Sequence, residues 1–185
     1  MIYLIRHGEA AASWGEHPDP GLSDQGSLQA DAVATKLTGF KISSALPSPM
    51  TRCQETATAF AQRSGLKIPI EPRVTEIPTP NDVGDRRTWL RALMAGNWVD
   101  TPDLVKAWHR DLLEAVNALP NETAVFSHFI AINAIVGHLS GSDAVTVFRP
   151  NYCSVTILEQ TGSGLKLIER GESLVSISTD GRVVE

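Results

Sequence analysis

Ile2-Tyr3-Leu4-Ile5-Arg6-His7-Gly8-Glu9 (residues 2–9) opens with a short apolar run that delivers an arginine and a histidine. Residues 2–6 read as a strand. A second run of the same form, within residues 123–127, delivers Ala124-Val125-Phe126-Ser127-His128. Short continuous apolar runs suit strands buried on both faces of a parallel sheet. Open α/β sheets take ligands at the carboxyl ends of their strands. Each histidine is therefore expected at that edge, where the two can meet over one ligand. Arg6 adds a planar clamp for an anion. The expected chemistry is phosphate on imidazole.

The segments between these runs read as helices. Ser23 is a candidate N-cap for a helix carrying Ala30, Val33, Ala34 and Leu37, which Gly39 stops. Residues 42–46 form a second strand. Ser48-Pro49 opens a second helix with Met50, Cys53, Ala57, Phe60 and Ala61 inward and Gly65 at its end. Residues 67–71 are expected to add a third, short strand. Residues 84–98 are partly helical, and a long amphipathic helix runs from about 103 to 118. Another helix follows His128. Cys153 to Glu159 and Leu165 to Glu169 flank Gly162-Ser163-Gly164 and read as a hairpin. Residues 174–185 are β-prone. This alternation predicts a three-layer α/β/α fold, with a mainly parallel central sheet and an edge hairpin near the C-terminus.

The 185 residues fit one domain spanning 1–185. The net charge of −5 and the lack of a basic run argue against nucleic-acid or membrane-surface partners. Strand-like sequence begins at Ile2 and no apolar stretch is long enough to span a bilayer, so a cytoplasmic protein is expected. Cys53 and Cys153 read as reduced core thiols, and no Cys/His cluster has metal-site spacing. No metal or cofactor is expected.

Four blocks together resemble the histidine phosphatase superfamily, which includes the phosphoglycerate mutases. They are Leu4-Ile5-Arg6-His7-Gly8-Glu9, Leu22-Ser23-Asp24-Gln25-Gly26 with Gln29-Ala30, Ser44 through Ala57, and Val125-Phe126-Ser127-His128. The resemblance implies a phosphomonoester hydrolase with His7 as nucleophile and a phosphohistidine intermediate. It implies Arg6 and Arg52 as phosphate ligands and His128 as stabiliser of the transferring phosphoryl group. It places a proton-donating acid near Glu76, although the family's usual sequence after that residue is absent. Two departures stand out: Ser13 occupies a position where asparagine often helps bind phosphate, and Phe129 replaces a common glycine.

The implied partner is a small phosphorylated substrate, with a phosphoprotein as second choice. A phosphoglycerate mutase-type phosphotransferase is the enzyme alternative, weighed against by the modest length of residues 72–122. A non-catalytic phosphate-binding module is the alternative of another class. Glu9 reads as a loop support. Arg86 and Arg87 read first as solvated arginines paired with Asp82 or Asp85, and second as contacts for an anionic substrate at the pocket mouth. Trp89 and Trp98 read as lid or core packing.

Overall fold

The computed structural model describes residues 1–12, 17–174, 176–177 and 183–184, the last two pairs by backbone alone. In chain order the elements are β1 (Ile2–Arg6), α1 (Asp24–Leu37), β2 (Ser44–Pro47), α2 (Thr51–Ser64), α3 (Arg86–Met94), α4 (Asp103–Asn117), β3 (Thr123–Ser127), α5 (Phe129–Leu139), β4 (Val155–Thr161) and β5 (Gly164–Glu169). Two two-residue strands, β6 (Ser176–Ile177) and β7 (Val183–Val184), pair with each other.

Among the described residues the main sheet has the order β2-β3-β1-β4-β5. β2, β3 and β1 run parallel, whereas β4 and β5 are antiparallel additions on the β1 side. The predicted parallel centre and edge hairpin are both present. β1 and β3 are buried at every position, as their unbroken apolar runs require.

Alternate residues of these strands feed two cores. Tyr3, Ile5, Ala124 and Phe126 pack with Val33, Ala34 and Leu37 of α1 and with Cys53, Ala57 and Phe60 of α2. Ile2, Leu4 and Val125 pack on the other face with Leu90 of α3, Val105 and Leu112 of α4, and Ile132 and Ile135 of α5. The chain therefore leaves β1 toward one face and leaves β3, its neighbour, toward the other. A crevice opens between their carboxyl ends, the usual ligand position in such sheets.

The helix ends follow their local chemistry. Ser23 caps α1 by accepting from the Gly26 N–H, and Gly65 ends α2 in the left-handed conformation at φ 71°. Two expectations fail. Residues 67–71 form no strand. Glu71 N donates to Pro47 O at 3.0 Å, but Pro69 has no N–H to extend a ladder beside β2, and the chain turns into a 3-10 helix at Pro72–Val74. Cys153 also lies outside the hairpin. Its φ of 55° belongs to the turn before β4, which starts at Val155.

One close approach explains two glycines of the sequence blocks. A Cβ on Gly26 would meet the Glu9 carbonyl oxygen at 2.0 Å, and one on Gly8 would meet the Gly26 oxygen at 2.5 Å. The first turn of α1 thus rests directly on the backbone after His7. Ala in place of Gly within a helix normally gains about 1 kcal/mol. Here the backbone collision should outweigh that gain, with overpacking costing about 1–3 kcal/mol. Gly26→Ala is expected to lower the urea unfolding midpoint, whereas Gly39→Ala, whose nearest contact is 3.4 Å, should leave it nearly unchanged.

Candidate active site

Parallel pairing sets Arg6 opposite Ser127 across β1 and β3. The next residue on each strand is a histidine, so His7 and His128 emerge side by side. Their ring centroids are 5.3 Å apart, with an edge-to-face interplanar angle of 61°. The two sequence runs therefore converge at one sheet edge, as expected.

Arg52 in the first turn of α2 joins the rings. Its Nε donates to His7 Nε2 at 3.1 Å, and its Nη2 lies 3.1 Å from His128 Nδ1. These contacts fix both tautomers. With Nε2 accepting, the His7 proton sits on Nδ1, which donates to the Gly8 carbonyl at 2.6 Å. With His128 Nδ1 accepting from Arg52, its Nε2–H donates to Ser48 Oγ at 2.8 Å. Both histidines are held well below the ordinary value, first by burial; Arg52 and Arg6 add to this for each ring. They are neutral imidazoles.

Arg6 is held from the C-terminal third of the chain. Its Nη1 donates to Pro150 O at 2.8 Å, and its guanidinium carbon stands 4.0 Å from the Tyr152 ring centroid and 5.3 Å from that of Phe129. Arg6 Nε is buried with no hydrogen-bond partner among the described residues. A buried orphan donor of this kind is unusual in a protein and suits an anionic ligand. Phe129 joins the α5 core and forms part of the cavity wall.

Glu76 is 7 % exposed, and burial raises its pKa above the ordinary carboxylate value. Its Oε1 accepts from the Ile77 N–H at 3.1 Å. Arg6, Arg52 and Arg86 all feel its charge. Arg6, His7 and Arg52 line a cavity of about 1230 Å³; Glu76 and His128 are buried and are not among its lining residues. Ser13 lies outside the described residues. Among the described residues no three His, Cys, Asp or Glu side chains are grouped to hold a metal ion, and no helix is long and apolar enough to cross a membrane.

Supporting residues explain the remaining sequence blocks. Thr56 Oγ accepts from Gly8 N at 3.1 Å and donates to Arg52 O at 2.7 Å, so α2 and the His7 loop share one hydroxyl. Glu9 accepts from Ser23 Oγ at 2.8 Å, and its N–H donates to Gln29 Oε1, which makes it the expected loop support. Asp19 accepts from Thr51 N and stands 3.8 Å from Arg52. Ser48 and Tyr152 were not distinguished by the sequence reading. Ser48 is part of the third block, but only the fold shows that its hydroxyl meets His128.

Arg86 departs from its first reading. Its Nε donates to Thr79 Oγ at 2.7 Å, and Arg86, Arg87 and Arg149 join the cavity lining. Asp85 serves as N-cap of α3. Trp98 is core: it is buried and stacks on His109 with centroids 4.2 Å apart.

Comparison with known proteins agrees with this arrangement. The profile of the histidine phosphatase superfamily (branch 1) matches residues 2–172, and the chain belongs to that superfamily. A Cronobacter sakazakii protein named "Probable phosphoglycerate mutase GpmB" is 32% identical over 188 residues, covering 84% of this chain and 83% of its own. Among solved structures, YhfR of Bacillus stearothermophilus superposes with a TM-score of 0.76 at 20% identity, covering 94% of this chain and 97% of its own. The alpha-ribazole phosphatase of Shigella flexneri gives 0.73 at 18% identity, covering 92% and 96%.

The raised pKa of Glu76 has a stability consequence. A group whose folded pKa is raised contributes stability that is fully present below its unfolded pKa and is lost as pH rises through the folded pKa. Glu76 should therefore weaken the fold as pH rises above the ordinary carboxylate value and through its raised one. Glu76→Gln, which keeps the acceptor for Ile77, is expected to raise the urea midpoint at neutral pH. The gain should vanish near pH 4. A midpoint that falls at neutral pH would contradict this.

Proposed function

We propose that this protein hydrolyses phosphomonoesters through a phosphohistidine on His7, as one catalytic domain acting in the cytoplasm. The observation that carries the reading is the state of His7: a neutral ring with Nδ1–H fixed on the Gly8 carbonyl and its Nε2 lone pair directed at the Arg52 guanidinium. A nucleophile for phosphorus needs that lone pair. An incoming phosphoryl group would draw Arg52 onto its own oxygens and leave Nε2 facing phosphorus.

In the first step His7 Nε2 forms a bond to phosphorus as the P–O ester bond breaks. The leaving alkoxide takes the Glu76 proton. The ring then carries positive charge, which the Gly8 carbonyl stabilises at Nδ1–H. In the second step water attacks phosphorus, its proton passes to the Glu76 carboxylate, and the P–N bond breaks. Inorganic phosphate leaves and the starting state returns. Arg6, through its orphan Nε, and Arg52 would hold the non-bridging oxygens, and His128 would steady them in the transition state. Ser13 is proposed as a further donor. Glu76 must turn from the Ile77 N–H toward the leaving group. No step calls for a metal or cofactor.

The mutase reading is favoured by one observation, the name of the relatives that match along most of the chain. It shares the first step and differs in the fate of the phosphohistidine. Phosphorus NMR of the chain with 3-phosphoglycerate separates them: inorganic phosphate supports hydrolysis, and 2-phosphoglycerate supports transfer.

His7→Ala is expected to reduce turnover to background and to abolish an acid-labile, base-stable phosphoenzyme trapped by rapid quench. Chelator should leave the wild-type rate unchanged. Persisting turnover in His7→Ala would remove the mechanism. Glu76→Gln should lower kcat by about 10²–10⁴-fold on alkyl phosphates with poor leaving groups and much less on aryl phosphates.

Activity needs His7 neutral and Glu76 protonated. The His7 shift is downward and the Glu76 shift upward, so the acid limb of kcat/KM should fall below the ordinary histidine value and the alkaline limb above the ordinary carboxylate value. The alkaline limb should report Glu76 and disappear in Glu76→Gln with an aryl substrate. An alkaline limb that survives in Glu76→Gln would contradict these assignments.

A further inference from the structure

Arg52 has one more acceptor besides the two histidines, and it is a sulfur. Its Nη2 lies 3.3 Å from Met50 Sδ and 3.1 Å from His128 Nδ1, so the two hydrogens of that nitrogen have one acceptor each. Met50 is the N-cap residue of α2, two positions before Arg52, and it lines the cavity beside Arg6 and His7. It is half-buried and belongs to neither hydrophobic core. Core packing therefore does not account for it.

A thioether is a weak acceptor. It keeps Nη2–H directed and yields it readily to a stronger acceptor such as a phosphate oxygen. A sulfoxide is polar, and its oxygen competes for the same hydrogen. One added oxygen at this position would change how firmly Arg52 is held.

The other sulfur atoms are poorly placed for such a role. The chain has two cysteines and three methionines. Oxidation of a thiol follows its thiolate character and exposure. Cys53 is fully buried, and burial pushes its pKa up; burial also pushes Cys153 up to about 12. Both stay protonated at neutral pH, whereas a thioether needs no deprotonation to react. Met1 precedes β1, at the end of the strand away from His7. Met94 lines the cavity but packs against the core of the α3 side. Of the two cavity methionines, Met50 is the one bonded to Arg52.

We infer that Met50 is an oxidation site that controls the phosphate pocket: conversion of its thioether to the sulfoxide fastens Arg52 and lowers the affinity of the site for phosphate. This adds regulation to the proposed hydrolase reading and rests on it for the use of Arg52 as a phosphate ligand. The oxidant is a peroxide. A sulfur lone pair forms the S–O bond as the O–O bond breaks, and sulfur gives up two electrons. The departing hydroxide takes the proton of the transferred oxygen and leaves as water. The new oxygen, bound to a sulfur already in contact with Nη2, competes with phosphate for the guanidinium.

The full chain is treated with hydrogen peroxide, and phosphate binding and turnover are read separately. Peptide mass mapping locates the oxygen gained at each methionine. Inorganic phosphate is titrated calorimetrically, and kcat/KM is measured with an aryl phosphate. Peroxide is expected to weaken phosphate binding by wild type about tenfold or more, the scale of one hydrogen bond to a charged group, and to lower kcat/KM in parallel. Methionine sulfoxide reductase should restore both. Met50→Leu, compared with its own untreated values, should lose neither. Met94→Leu should respond as wild type does. Its melting temperature should hold while its phosphate affinity falls, which separates the effect from unfolding.

Unchanged phosphate affinity in wild type carrying the sulfoxide at Met50 overturns the inference. A loss of equal size in Met50→Leu does so too, as does peroxide that oxidises Met94 and leaves Met50 unmodified. All three leave hydrolysis standing. If phosphate binding is weakened through Met50 but no ester is turned over, the oxidation site stands and the hydrolase reading falls. If untreated wild type binds no phosphate, both fall.

Discussion

The Arg52 guanidinium between His7 and His128 is the contact on which the site depends. Its Nε–H requires an acceptor at His7 Nε2, and its Nη2–H an acceptor at His128 Nδ1. Both rings must therefore be neutral, with protons on the far nitrogens, where the Gly8 carbonyl and the Ser48 hydroxyl receive them. A charged ring would bring a third cation beside Arg6 and Arg52 in a buried space, where electrostatic interactions are poorly screened. One arginine thus fixes two tautomers and two charge states. It also keeps the His7 Nε2 lone pair hydrogen-bonded, so in the proposed mechanism approach of an anion both frees that lone pair and gains a ligand.

That guanidinium is held by the surrounding fold. α2 contributes Thr56, which links the Arg52 carbonyl to the Gly8 N–H. α1 approaches the same loop through backbone at Gly26, where no side chain fits. Arg6 is held from the opposite side by Pro150 and Tyr152. The two arginines are therefore set by opposite ends of the chain and meet only because β1 lies between β3 and β4 in the sheet.

Much of this was legible in the sequence. The apolar runs ending at His7 and His128 implied adjacent buried strands, and helix stops such as Gly65 marked boundaries through local chemistry. Arg52 was implied by the family resemblance of its block, since a helix arginine alone reads as solvated. Other features had no local signature. Ser48 reads as a helix opener, and its contact with His128 joins segments 80 residues apart. Tyr152 stacks on Arg6 only through the long-range return of the chain. The expected strand at 67–71 does not form because Pro69 lacks the N–H that a ladder beside β2 needs, whatever the apolar composition around it. Arg86 was read from neighbouring Asp82 and Asp85, whereas its environment is set by the cavity.

The position of β1 also governs when the site can come into being during synthesis. Ile2 pairs with Thr123 on one side and with Leu158 on the other. β1 is the centre of the main sheet, and both of its neighbours are translated long after it. Until they emerge it is an apolar segment with two unsatisfied hydrogen-bonding edges, the type of element that favours misassociation. Closing such long loops slows folding, because chain entropy is lost before non-local pairing compensates. His7 is made before its partners Arg52 and His128, which are brought to it only when β3 docks, and Arg6 is secured only when residues 150–152 arrive. A nascent chain shorter than β4 carries His7 without the pocket that surrounds it.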